Sequence, residues 1–193
     1  MKTAIINLDL INEICHPDGK LANYADRIKA KGLITAVNQL TTWGRSHDYL
    51  IAHVKVAFRD DYQDGSSRSP VFSQAKKHQA LKLSTWGCQF CDELQLEPSD
   101  NVIIKHRVSA FYGTDLDLIL RANCIDHLIL CGVATNNAVE LTAREAHDRD
   151  YIVTIAADAT ECASDSQQQD SLQFLERISN IVIVKDLLCA DIN

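Results

Sequence analysis

His127-Leu128-Ile129-Leu130-Cys131-Gly132-Val133 shows no alternation of polar and apolar side chains after its first residue. A strand with one wet face alternates, so this run predicts a strand covered on both faces. Soon after it, Asn137 and Glu140 stand at N-cap and N3 spacing. Glu140 and Arg144, and Glu145 and Arg149, stand four residues apart, as ion pairs on a helix do. A buried strand leading into a helix is the repeating unit of a parallel sheet, because parallel neighbours need a long crossover.

The same unit recurs outward from this stretch. Ala4-Ile5-Ile6-Asn7-Leu8 reads as a first buried strand ended by Asp9. Residues 24–46 read as a helix, with Ala30, Leu33, Val37 and Leu40 on one face and Gly44 as its stop. Residues 49–56 form a second strand, and Val102-Ile103-Ile104 a third that ends at Lys105. Thr114 and Asp117 open a helix that runs to about residue 123. Residues 152–156 make a fifth strand and 181–184 a sixth, flanking a helix that carries Leu172, Leu175 and Ile178 on one side. From 57 to 100 no period is strong, apart from a short helix near 72–80. A connection of that length usually carries function. The expected fold is α/β, a doubly wound, mainly parallel six-stranded sheet with helices on both faces, Rossmann-like and three-layered. Residues 1–193 are expected to form one domain.

Composition narrows the function. The 193 residues are 46% hydrophobic and 23% charged, with a net charge of −7, so an acidic globular chain is expected. An acidic balance without a basic cluster argues against nucleic acid or an anionic membrane as partner. The apolar run at the start is short and broken by Asp9, so no signal peptide is expected. With no leader, the seven cysteines are expected to be reduced thiols in a cytoplasmic protein. In a doubly wound sheet a ligand sits beyond the carboxyl ends of the strands. That singles out Asp9, Lys105 and the turn after Val133.

Three segments carry a resemblance. Asn7-Leu8-Asp9-Leu10-Ile11-Asn12-Glu13, the stretch from Lys105 to Leu116, and the stretch from Gly132 to Glu140 resemble the motifs of the isochorismatase-like hydrolase superfamily. That superfamily includes nicotinamidases and other cysteine amidohydrolases. Asp150-Tyr151 and Asp158-Ala159 fit its pattern near the fifth strand, and the likeness spans nearly the whole chain. It implies a doubly wound sheet, a homo-oligomer, and catalytic Asp9 and Lys105. It also implies that the backbone amides of Ala134 and Ala138 hold a developing oxyanion. The chain departs at one place. Members that hydrolyse amides carry Cys where this chain has Ala138. Isochorismatases proper place Gly there and use the Asp as a general acid on a vinyl ether, but their turn differs from Thr135-Asn136-Asn137.

The expected function is therefore hydrolysis of a small molecule. Asp9 acts as proton donor or acceptor and Lys105 as charge stabiliser, with Ala138 at the nucleophile position. The alternative is a catalytically inactive member, or a Cys-to-Ala variant of a cysteine amidohydrolase, that binds a ligand or partner. Asn12, Trp86, Phe111 and Tyr112 are candidate substrate contacts. For Trp86, Phe111 and Tyr112 a plain core role fits equally well, and Asn12 could equally cap the first helix. Cys88 and Cys91 have CxxC spacing, but no second pair completes a zinc site, so no metal and no cofactor are expected. His53 on the second strand is a further candidate to line the site.

Overall fold

In a computed structural model, which describes residues 1–189, the six strands pair in the order β3-β2-β1-β4-β5-β6. They are β1 (Thr3–Leu8), β2 (Leu50–Val56), β3 (Asn101–Lys105), β4 (His127–Val133), β5 (Ile152–Glu161) and β6 (Asn180–Val182). Every pairing is parallel. The chain winds from β1 out to β3, returns to β4 beside β1, and then winds the other way. The strand order therefore reverses between β1 and β4, which is where doubly wound sheets open a ligand crevice.

The helices are α1 (Asn12–Cys15), α2 (Ala25–Ala30), α3 (Leu33–Ser46), α4 (Pro70–Lys77), α5 (Leu116–Ala122), α6 (Glu140–His147), α7 (Asp165–Leu175) and α8 (Val184–Cys189). Successive residues of β1 point to opposite faces. Ile6 and Leu8 bury against Leu116, Leu120, Ala143 and Leu175. Ile5 faces the other way, onto Leu33, Val37, Leu40 and Val184. A third apolar cluster, built around Phe58, Phe72 and Leu81, packs the 57–100 connection down at the carboxyl edge.

Several boundaries differ from the sequence reading. The helix expected over 24–46 is two helices, broken at Gly32, whose φ of 62° is left-handed. Gly44 does not stop α3. It lies inside it, where a Cβ would come within 2.3 Å of Ile5 Cδ1, so the glycine lets helix and sheet approach. Asn137 is not an N-cap, because Thr135–Val139 form one π turn and α6 begins at Glu140. The ion pairs Glu140–Arg144 and Glu145–Arg149 do form, at 2.7 and 2.6 Å. The sixth strand stops at Val182, and Val184 opens α8, with its N–H donating to Asp158 Oδ1 at 2.8 Å. That cap comes from β5, so no local pattern announces it.

Gly132 is the tightest point of the sheet. Its φ is +109°, and a Cβ there would lie 2.1 Å from the carbonyl oxygen of Leu8. Backbone cannot yield as a side chain does. Gly132→Ala is expected to cost about 3 kcal/mol or more, through strain and through loosening β4 from β1. Urea unfolding of both proteins measures it, and a loss below about 1 kcal/mol would contradict the packing argument.

His53 is fully buried in β2, between Asn7 and Asp100, with ring-nitrogen contacts of 3.1 Å to each. It does not line the crevice; it belongs to a buried polar chain that ends on Arg45, 2.6 Å from Asp100. Burial depresses its pKa below the usual 6.5, against the pull of Asp100. A base with a depressed folded pKa binds its proton better when unfolded. Stability is therefore expected to be full above about pH 6.5 and to fall as pH drops towards the folded value. His127 is depressed in the same sense, also by burial. Urea midpoints at pH 8 and pH 5.5 should differ less in His53→Gln than in the parent.

Candidate active site

Asp9 follows directly on β1 and takes a left-handed backbone, φ 56°, which turns its side chain across the carboxyl end of β2. Its N–H donates to Val54 O at 2.8 Å. Its Oδ1 accepts the Val56 N–H at 2.7 Å. Lys105, the last residue of β3, brings Nζ to 2.8 Å from Asp9 Oδ2. The ammonium also donates to Val108 O at 2.6 Å. Both groups are buried, Lys105 to 1% exposure and Asp9 to 4%. Burial raises the Asp9 pKa above the usual carboxyl value, although Lys105 and the Val56 amide pull it down. A carboxyl kept partly against ionisation and pinned at both oxygens is suited to moving a proton.

This pair opens on a cavity of about 190 Å³. Val133, Ala134 and Asn137 border it from the β4 side, and Val56 and Val108 from the β2 and β3 side. Ile14, Leu21 and Tyr24 come from the segment after β1, and Val71, Phe72 and Leu81 from the long connection. The walls are mostly apolar, with the polar groups gathered at the strand ends.

A family model described as the Isochorismatase domain matches residues 3–186. The chain belongs to the isochorismatase family. It is 32% identical to the uncharacterized isochorismatase family protein YecD of Escherichia coli, over 97% of this chain and 95% of that one. It is 28% identical to the ureidoacrylate amidohydrolase RutB of Rhizobium rhizogenes, over 100% and 84%. The crystal structure of an isochorismatase family protein from Desulfovibrio vulgaris superposes with a TM-score of 0.87 at 21% identity, covering 100% of this chain and 99% of that one. That likeness is one of fold.

Within this isochorismatase-family chain, the sequence-derived candidates separate. Asp9, Lys105 and Ala134 meet at the cavity. Ala138 is 2% exposed and packs in the core with Val139 and Ala143, while its neighbour Asn137 faces the cavity. Thr135 is held away from chemistry, because its hydroxyl donates to Gln168 Oε1 at 2.6 Å. The Asn136 N–H points at Cys162 Sγ, 3.4 Å away.

The remaining candidates are placed elsewhere. Asn12 Nδ2 donates to the Trp86 carbonyl at 3.2 Å and faces a different cavity, shared with Cys15 and Cys91. Trp86 stands edge-on to His16 at 4.9 Å and is 43% exposed. Phe111 is buried against Tyr151, with ring centroids 6.0 Å apart. Tyr112 is 65% exposed and borders a shallow groove next door, with Leu141 and Glu145. Aromatic residues near a motif carry no directional signal. Phe111 turns inwards and Tyr112 outwards because the turn before α5 sends neighbours to opposite sides. Glu13 is buried and braces the loops, accepting from Leu81 N at 3.0 Å and Lys20 N at 3.2 Å.

Sequence reasoning missed Asn23, Tyr24, Val71, Phe72 and Arg107 on the cavity wall. No period marks them, since they come from irregular segments. Arg107 alone had a clue, standing two residues after Lys105. Among the described residues, no group of three or more His, Cys, Asp or Glu is placed to hold a metal ion, and all seven cysteines are free. No helix among the described residues is long and apolar enough to cross a membrane.

Proposed function

We propose that the chain is a hydrolase of a small molecule that works by proton transfer at Asp9, without a covalent enzyme intermediate. The observation that carries this reading is the buried 2.8 Å Asp9–Lys105 pair opening on a cavity at the switch in strand order. An ion pair with no cavity beside it would have favoured a member that only binds.

Asp9 donates its proton to a vinyl ether carbon, which leaves an oxocarbenium ion. Water adds to that ion and returns a proton to the Asp9 carboxylate. The resulting hemiketal splits into a carbonyl compound and an alcohol. Lys105 holds the charge that Asp9 exposes when it gives up its proton. For an activated ester, where water attacks the carbonyl carbon while Asp9 takes its proton, the amides of Ala134 and Ala138, at the turn into α6, face the oxygen on which negative charge gathers. Ala138 has no nucleophile, and Thr135 is committed to Gln168, so that turn offers no covalent route to an amide.

A panel of vinyl ethers, activated esters, amides and carbamates tests this directly. Turnover is expected among vinyl ethers or activated esters. Intact-mass spectra taken during turnover are expected to show the unmodified chain. An acyl adduct on any residue, or turnover confined to amides, would overturn the non-covalent reading.

A further inference from the structure

Arg107 stands between the same cavity and the groove that holds Glu145, and among the described residues no carboxylate pairs with it. Its Nη1 donates to two backbone carbonyls, Asp64 O at 3.0 Å and His106 O at 2.5 Å, and it forms no ion pair. Of the other arginines, Arg27, Arg45, Arg59, Arg121, Arg144 and Arg149 all pair with acids. Arg68 and Arg177 are exposed. Arg107 is thus the one half-buried arginine, among the described residues, whose charge is left unanswered. The nearby Asp64 carboxylate is occupied by the Arg59 N–H at 3.0 Å and by His106 at 3.5 Å.

Among the described residues Asp9 is the only acid on the cavity wall, and Lys105 already answers it. Arg107 is therefore the surplus charge, and the rest of the wall is mainly apolar, with the amides of Asn23 and Asn137 at its edge. We infer that the substrate is a small, largely apolar carboxylate whose anionic group is held by Arg107 while its reacting end meets Asp9. A guanidinium with one edge anchored on carbonyls keeps its other N–H groups in a fixed fork, which matches a carboxylate. This assignment rests on the hydrolase reading for which end reacts, but the anion site stands on its own geometry.

Isothermal titration with benzoate and benzyl alcohol, which share a ring and differ in charge, tests it. Wild type is expected to bind benzoate at least about tenfold more tightly, the scale of one charge-assisted contact. Arg107→Gln should erase that preference and leave benzyl alcohol binding as it was. If the glutamine variant does not fold, Arg107→Lys decides: it keeps the charge without the fork, so the preference should drop at least threefold. No preference in wild type, or a preference unchanged in the variants, overturns the assignment. Asp9→Asn separates the two claims. It should still prefer benzoate, because Arg107 is intact, whereas its turnover reports only on the proton-transfer reading.

Discussion

Asp9→Asn is expected to lower kcat by about 10²–10⁴-fold, the usual worth of a positioned general acid or base, with KM little changed. The amide copies the shape of the carboxyl and fills the same space. It cannot give a proton up, and it cannot match both neighbours. Val56 N–H and Lys105 Nζ are both donors, at 2.7 and 2.8 Å from the two oxygens, and an amide presents only one acceptor. A stability loss of about 1–3 kcal/mol should accompany the change, so kinetics belong well below the melting temperature. The parent should also show a pH limb that the variant lacks. Burial raises the Asp9 pKa, so its acid form persists to a higher pH than an ordinary carboxyl's. Acting as an acid, it loses activity as pH rises through that raised value. A variant within about tenfold of the parent on the same substrate would remove Asp9 from the chemistry.

Lys105→Met is expected to cost about 3–5 kcal/mol, because it strands a buried carboxylate while nearly keeping the side-chain volume. The loss includes the bond to Val108 O, which ties the segment after β3 to its own strand end. The deficit should depend on pH in a defined direction. Without the ammonium, the folded pKa of Asp9 rises further above the unfolded value of about 3.9. A group raised on folding contributes fully below its unfolded pKa, and that contribution is lost as pH rises through the folded one. The variant should therefore come closer to the parent at acidic pH and fall furthest behind near pH 8. Adding Asp9→Leu to Lys105→Met should recover much of the stability, since an apolar pair has no charge left to strand. A deficit that is flat with pH, or a double variant no better than the single, would mean that the pair is not coupled as its 2.8 Å contact implies.

The sequence by itself determined the layered sheet and the elements that carry Asp9 and Lys105. Runs such as Ile129–Leu130–Cys131 must be covered on both faces, and that need, repeated along the chain, leaves only strands alternating with crossovers. β4 therefore runs from His127 to Val133, as the pattern predicts. The ends of strands were legible too, because Asp9 and Lys105 interrupt apolar runs where charge could not remain buried without a partner. Only the tertiary structure decided what each charge meets. Asp9 and Lys105 are far apart in the chain and come together because β1 and β3 flank β2 in parallel register. The cavity wall was illegible for the same reason. Tyr24, Phe72 and Arg107 lie on segments without a period, and their direction is set by packing against distant residues. Trp86, Phe111 and Tyr112 have the chemistry of a binding wall, but an aromatic ring satisfies core, surface and pocket alike. The helix N-terminus after β4 shows the same division. Strand and helix patterns announce a helix there but put its cap at Asn137, whereas a π turn packed against α7 and β5 buries Ala138, faces Asn137 to the cavity and delays α6 to Glu140.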